Sequence, residues 1–209
     1  MKILIFNKKT LWSLIIIILL LVLILYYIFY NKADETFNID IHYKGNIDEK
    51  VVAFACNVDW GNEYIPDMLE IFKNSNIKIT FFVTGKWAEK NPDLLKKIYE
   101  EGHEIGNHGY NHLDYDRLSY EDNKEEILKA DSVIKDILNI KPKYFAPPSG
   151  AYNDNTIIAA KELNYDIIMW SIDTIDWRED SDMEKIKTRV LSKIHNSAIV
   201  LMHPTEETI

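Results

Sequence analysis

A regular alternation of strand-like and helix-like segments begins at Val51 and continues to the end of the chain. Six short strand-like runs are separated by longer segments with helical spacing of apolar residues, and the runs cover 51–56, 77–83, 104–107, 143–146, 165–171 and 198–202. This alternation predicts an α/β fold, in which parallel strands are joined by crossover helices. A (β/α) barrel and an open doubly wound sheet both fit. No G-x-G-x-x-G follows the first run, which disfavours a dinucleotide-binding domain.

The N-terminal part of the chain is far more apolar than the rest. Residues 11–30 are nearly all Leu, Ile, Val or aromatic, and a helix of about 20 residues crosses a hydrocarbon core of roughly 30 Å. Lys8 and Lys9 precede this run, which predicts a single-pass anchor in the cell membrane with the C-terminal domain outside the cytoplasm. The predicted cytoplasmic N-terminus, transmembrane anchor, linker and domain are 1–10, 11–30, 31–50 and 51–209.

A cleaved signal peptide is the alternative interpretation of the apolar run. Its apolar region is usually about 7–15 residues long and ends in small residues at the cleavage site. Here Tyr26, Tyr27, Phe29 and Tyr30 occupy that place. The sequence therefore favours an uncleaved anchor.

Charge and cysteine content exclude several kinds of function. The net charge is −9 and basic residues are not concentrated anywhere, which disfavours nucleic acid as a partner. Cys56 is the only cysteine, so an internal disulfide and a four-cysteine zinc site are both excluded. Its apolar neighbours predict a buried position in the first strand of the domain.

A glycine- and histidine-rich segment, G-H-E-I-G-N-H-G-Y-N-H, occupies 102–112. His108 and His112 are four residues apart, a spacing that allows two imidazoles to bind one metal ion. The glycines favour a tight loop over a helix. Asp59 is the only carboxylate directly after the first strand, and it completes a predicted site of two histidines and one carboxylate with open positions for catalysis. A turn-capping role is the alternative for Asp59.

Other polar residues also follow the ends of strands. Active sites of parallel α/β folds lie at the carboxyl ends of the strands, and the residues found there include Asn57, Pro147, Asp173, Asp176, Trp177 and His203. His203 could protonate a leaving amine, although a structural histidine is the alternative. The combination predicts metal-assisted hydrolysis of an amide or ester.

Four segments resemble the polysaccharide deacetylases with a NodB-homology domain. They are K-I-T-F-F-V-T-G, G-H-E-I-G-N-H-G-Y-N-H, F-A-P-P-S-G-A-Y-N and I-V-L-M-H-P. W-G-N-E-Y after the first strand is similar to the sporulation-associated subgroup of spore-forming bacteria. The resemblance implies a distorted (β/α) barrel and removal of acetyl groups from peptidoglycan or a chitin-like glycan.

The resemblance also implies roles for individual residues. His108 and His112 match the family's metal-binding motif. The implied cofactor is a divalent metal ion, for which zinc is the leading candidate and cobalt and manganese are the alternatives. His203 matches the general acid. The residues implied to contact the cell-wall glycan are Pro147, Tyr152, Asp173, Asp176 and Trp177.

Two family motifs are altered in this chain. Asn57 occupies the place of the family's general base and Val58 that of a metal ligand, so Asp59 is one residue displaced. Asn cannot accept a proton as a carboxylate does. Ala146 replaces the arginine that steadies the base. The family also continues past its last histidine motif, whereas this chain ends at Ile209, which predicts either a shortened domain or a fold that closes differently.

These alterations leave two expectations for function. The first is a weak metal-dependent deacetylase of cell-wall glycan, with His203 as acid, Asp59 as ligand and Asn57 at the position of the base. The second is a catalytically inactive member of the same fold that binds glycan or has a structural role.

Overall fold

The computed structural model describes residues 8–33 and 41–209 and divides the chain into two compact units, Met1–Ile39 and Asp40–Ile209. The first unit contains helix α1, Lys8–Ala33. Within the described ranges, no helix combines the length and apolar character needed to cross a membrane, so the transmembrane anchor predicted over 11–30 is not supported. Parts of the predicted cytoplasmic N-terminus and linker, 1–7 and 34–40, lie outside the described residues.

The second unit alternates strands and helices, as the sequence predicts. Its strands are β1 (Ile41–His42), β2 (Val52–Val58), β3 (Thr80–Val83), β4 (Glu104–Asn107), β5 (Tyr144–Phe145), β6 (Asp166–Ile168), β7 (Ile172–Asp173) and β8 (Ala198–Met202). Its α-helices are α2 (Ile65–Asn74), α3 (Gly85–Lys90), α4 (Pro92–Glu100), α5 (Tyr120–Leu138), α6 (Asp154–Glu162) and α7 (Met183–Lys193). Short 3-10 helices cover Tyr115–Arg117, Pro148–Gly150 and Glu206–Thr208.

The eight strands form one curled sheet in the order β1-β6-β5-β4-β3-β2-β8-β7. Each pair of neighbouring strands in this order is parallel. The predicted α/β class is therefore confirmed. The sheet is a half-barrel, because its edge strands β1 and β7 are not paired with each other among the described residues.

A three-residue connection, 169–171, joins the two ends of this sheet. β6 ends at Ile168 near one edge and β7 begins at Ile172 at the other. Three residues reach only about 14 Å between flanking Cα atoms, so the sheet must curl to bring its ends together. The single strand predicted over 165–171 is wrong for this reason: its two halves pair with opposite ends of the sheet.

The predicted linker contributes to the sheet. Ile41 and His42 pair with β6, and Lys44 forms an antiparallel bridge with Ala198 at the start of β8. The backbone N–H of Gly45 also donates to the carbonyl of Ser197 at 2.8 Å. A strand of two residues is too short to produce a hydrophobic pattern, so the sequence placed the start of the domain at Val51 rather than Ile41.

The core is divided by the sheet because successive side chains of a strand point to opposite faces. Cys56 and Val58 are buried among residues of α2, α3 and α4 on the outer face, as predicted for the cysteine. Ala55 belongs to a smaller cluster with Phe82, Ala146 and Ile199. Because side chains two residues apart share a face, Asn57 follows Ala55 on the same side of β2.

Candidate active site

A cavity of about 360 Å³ lies at the carboxyl ends of the strands. Seven residues selected from the sequence line it: Asn57, Asp59, His108, His112, Asp173, Trp177 and His203. They meet there because parallel strands present their carboxyl ends at one side of a sheet. The sequence thus located the cavity, although the individual roles stay predictions.

His108 and His112 form one wall of the cavity. Their ring centroids are 5.2 Å apart. The Nδ1 of His108 lies 2.7 Å from the carbonyl oxygen of Ala146 and donates to it, while Nε2 is buried without a protein partner. The pKa of His108 is lowered to about 3, mainly because burial disfavours the charged ring and also because His112 is close. His108 is therefore a neutral imidazole with a free electron pair on Nε2.

The backbone of the histidine loop is fixed by close contacts. Gly109 has a φ of +73°, and a side chain there would overlap the hydroxyl of Tyr115. Its N–H donates to the Oδ1 of Asn107 at 2.8 Å, and its carbonyl accepts from the N–H of Gly85. His112 is itself left-handed, with a φ of 56°. Glycine at 109 is required here because the loop must turn directly after β4.

The histidine pair fits part of a site for a divalent metal ion. A ligating histidine usually donates its second nitrogen to a carbonyl or carboxylate, and His108 does so. The predicted third ligand, Asp59, also lines the cavity, and its Oδ1 accepts from the Thr84 hydroxyl at 2.7 Å. In the part of the chain that is described, no group of three His, Cys, Asp or Glu side chains is placed to hold an ion.

Strand β2 provides the floor of the cavity. Asn57 is only 5% exposed, and its Oδ1 is buried without a hydrogen-bond partner among the described residues. Val58, at the position of a family metal ligand, packs into the outer core instead. Ala146, at the position of the family's arginine, is buried and provides only its carbonyl to His108. Asn57 therefore puts an amide at the position that the resemblance assigns to the family's base.

His203 and Asp176 form the opposite wall. The Nδ1 of His203 lies 2.7 Å from the Oδ1 of Asp176, and the backbone N–H of His203 donates to Oδ2 at 2.7 Å. Asp176 is buried, so this carboxylate fixes both the ring and the main chain. Nε2 is then the nitrogen of His203 that is available to the cavity.

The other residues predicted to contact substrate differ in their positions. Trp177 lines the cavity and is 55% exposed, while Asp173 lines it and accepts from the N–H of Ile175 at 2.7 Å. Pro147 and Tyr152 are not among the lining residues. Tyr152 instead shares a hydrogen bond of 2.7 Å with the hydroxyl of Tyr43. Ser149, which lies between them in the sequence, lines the cavity instead.

Sequence reasoning assigned no role to four residues of this region. Trp60, Ser149 and Trp170 line the cavity, and Thr84 holds Asp59. W-G-N-E-Y and K-I-T-F-F-V-T-G contain Trp60 and Thr84, so both lay within recognised motifs. Their positions depend on contacts between distant segments, which the motifs do not reveal.

Comparison with known proteins identifies the family. A family model described as polysaccharide deacetylase matches residues 44–168, more than half of the chain. YlxY of Bacillus subtilis, which is uncharacterised, is 48% identical over 166 residues, or 79% of this chain and 52% of that protein. The peptidoglycan-N-acetylmuramic acid deacetylase PdaA of Bacillus subtilis is 31% identical over 170 residues, which cover 78% of this chain and 64% of that protein. The chain spans between about half and two thirds of these relatives.

A solved structure gives the same result. The crystal structure of a CE4-family pseudoenzyme from Bacillus anthracis has a TM-score of 0.79 and 39% identity, covering 82% of this chain and 60% of that chain. A mutant of the same pseudoenzyme is described as having restored enzymatic activity. The chain belongs to the polysaccharide deacetylase family, and the resemblance inferred from its motifs is confirmed.

Proposed function

We propose that this member of the polysaccharide deacetylase family removes acetyl groups slowly from N-acetylated cell-wall glycan. One observation carries the proposal: the cavity has a pair of histidines on one wall and a histidine held by a buried aspartate on the other. The pair of histidines could bind a metal ion. The histidine held by the aspartate suits proton transfer. PdaA, which is named for deacetylating peptidoglycan, supports this class of substrate.

A divalent ion, zinc first with cobalt or manganese as alternatives, would be held by His108 and His112. When bound, it would supply a Lewis acid that polarises the acetyl carbonyl and lowers the pKa of water. The chain's own residues would do the rest. His203 would give a proton from Nε2 to the departing amine, and Asp176 would keep that nitrogen directed at the cavity. Asp59 would be the candidate third ligand through Oδ2, because its bond with Thr84 involves only Oδ1.

The second candidate is a glycan-binding protein without turnover. It is favoured by Asn57, which has no carboxylate to accept a proton, and by the similarity to a pseudoenzyme. The two candidates share the cavity and the substrate class. They differ only in whether acetate is produced.

Acetate release by the full chain tests the proposal. The substrates are peptidoglycan and N-acetylglucosamine oligomers, with zinc, cobalt or manganese added, and the matched control is His108→Ala. We expect slow release that depends on the metal and on His108. Release no greater than that of the control would refute the deacetylase and leave the binding protein as the better interpretation.

The location of the protein is a further part of the proposal. We propose that the domain lies outside the cytoplasm at the cell membrane, because cell-wall glycan, the proposed substrate, lies there. A role in sporulation stays a prediction from W-G-N-E-Y. Protease digestion of intact protoplasts tests the location: the domain should be degraded without lysis, and protection would contradict it.

A further inference from the structure

Trp60 lies at the mouth of the cavity and has no role in the chemistry considered above. Its indole is parallel to the imidazole of His203, with an interplanar angle of 5° and ring centroids 6.1 Å apart. At this separation parallel rings are offset, so His203 covers only part of the indole. Trp60 is 45% exposed. A large flat apolar surface therefore faces the space beside His203.

The loop that holds Trp60 is anchored on both sides. Asp59 accepts from Thr84 at 2.7 Å, and the Oδ1 of Asn62 accepts from the indole N–H of Trp87 at 2.7 Å. Gly61, with a φ of +79°, packs so closely on Pro204 that a side chain there would overlap the proline carbonyl. Pro204 directly follows His203. The same contact therefore fixes Trp60 relative to His203.

An exposed aromatic ring that is held rigidly at a cavity is typical of a binding surface. Binding cavities combine apolar and aromatic walls with a few polar groups that set orientation, and rigid rings lose little conformational entropy when they bind a ligand. Trp177, 55% exposed, is a second indole at the same cavity. Asn57 and Asp173 provide polar groups.

This combination favours a sugar over other flat ligands. A pyranose ring has an apolar C–H face that can lie on an indole, and a rim of hydroxyl and amide groups that suit polar side chains. A nucleotide would bring phosphate to a chain with a net charge of −9. A purely apolar ligand would leave the buried Oδ1 of Asn57 unpaired.

We infer that Trp60 is the stacking platform for a pyranose ring of the glycan and determines where the chain of sugars lies relative to His203. The inference rests on the proposed function for the glycan class. It does not require turnover, because stacking affects binding whether or not acetate is released.

Titration calorimetry of the full chain with a pentamer of N-acetylglucosamine tests the inference. Trp60→Leu keeps apolar volume but removes the flat ring, and Trp60→Phe keeps a flat ring. We expect the Kd to rise about tenfold or more for Trp60→Leu and to change little for Trp60→Phe. Tyr99→Ala, a change of an exposed aromatic residue on α4, is the matched control and should bind as the wild type does.

The outcomes separate this inference from the proposed function. Equal affinity of the wild type and Trp60→Leu would overturn the stacking role, whatever acetate is released. Binding that depends on Trp60 without acetate release would support the stacking role and refute hydrolysis. Absence of pentamer binding by the wild type would overturn the inference, and the acetate assay would still decide the proposed function. Thermal unfolding of each variant checks that the fold is intact.

Discussion

Asp176 contacts His203 at two points, once through the imidazole and once through the backbone N–H. Both carboxylate oxygens therefore accept, and both contacts are shielded because Asp176 is buried. Hydrogen bonds to charged groups contribute more than neutral ones, and their loss is costly when a buried donor is left unpaired. The orientation of His203 depends on this single side chain.

Asp176→Asn should lower the free energy of unfolding by about 1–3 kcal/mol. The amide retains one accepting oxygen, but its NH₂ group would face a donor of His203. Urea denaturation measures the change, and Asp136→Asn on the exposed surface of α5 is the control, expected within about 0.5 kcal/mol of the wild type. Equal loss in both variants would show that the two contacts with His203 contribute nothing specific.

Asn57→Asp should increase acetate release about 10- to 100-fold in the presence of zinc or cobalt, because general-base catalysis is typically worth 10²–10⁴. We expect a smaller gain than that range because Val58, at the position of a family metal ligand, still lacks a carboxylate. Initial rates on N-acetylglucosamine oligomers measure the gain, and His108→Ala in the same background should abolish it. No gain would indicate that the base is not the main defect of the site.

The sequence predicted the histidines of the site because each follows a strand and strand ends converge. It did not predict the bond between Thr84 and Asp59, since this bond depends on the register of β2 and β3, where Val58 pairs with Val83. Register between parallel strands is set by the packing of side chains on both faces of the sheet. A single sequence contains no direct record of that packing.

At the scale of elements, His103 joins the start of β4 to the segment that leads into β3. Its Nδ1 accepts from the backbone N–H of Ile79 at 3.3 Å. The ring packs edge-on against Phe81, with centroids 5.2 Å apart. Burial, and secondarily the charge of Lys78, lower the pKa of His103. This histidine packs into the core away from the cavity, whereas His108 and His112 of the same motif line the cavity.

The lowered pKa of His103 predicts a pH-dependent stability. Below about pH 6.5, His103 binds fewer protons in the folded state than in the unfolded state. The contribution of neutral His103 to the free energy of unfolding is therefore present above that pH and is lost as the pH falls toward the folded pKa. His103→Asn keeps an acceptor but cannot titrate. Denaturation from about pH 5 to pH 8 should therefore show a shallower pH dependence for this variant.

The control for this experiment is His195→Asn, which removes an exposed histidine. If His103→Asn and the wild type lose stability in parallel as the pH falls, the assigned effect of burial is wrong. The comparison does not involve the cavity, because His103 is not one of its lining residues.

Two of the three shortest strands were not predicted from the sequence. β1 and β7 have two residues each, whereas a hydrophobic pattern needs about four residues to be recognised. β5 also has two residues, but it lies within the longer run 143–146 and was predicted. Helices were easier, because α2 buries Ile65, Met68, Leu69 and Phe72 with the expected spacing. Long periodic elements are defined locally, and two-residue strands are defined by their neighbours.

At the scale of the whole second unit, the segment before Val51 closes one side of the sheet. It pairs with β6 through Ile41 and His42 and with β8 through Lys44, and Gly45 donates to Ser197 directly before β8. The Ser197 hydroxyl also donates to the carbonyl of Ile47. These contacts make 41–47 part of the folded domain rather than a passive connection.

A chain that begins at Val51 should be less stable than one that begins at Asp40 by about 2–5 kcal/mol, because each lost hydrogen bond contributes about 0.5–1.5 kcal/mol. Urea denaturation of the two chains measures the difference. Stabilities within about 0.5 kcal/mol of each other would contradict the assignment of 41–47 to the domain.

The pairing of β2 with β8 has a consequence for synthesis on the ribosome. β2 is an inner strand, yet one of its partners begins at Ala198, and His203 follows only after that partner ends. At about 5–20 residues per second, roughly seven to thirty seconds pass between translation of the two strands. During that time β2 has an unpaired edge that other chains could join. The nascent domain therefore depends on protection from its neighbours until the last strand emerges, and the cavity can form only then.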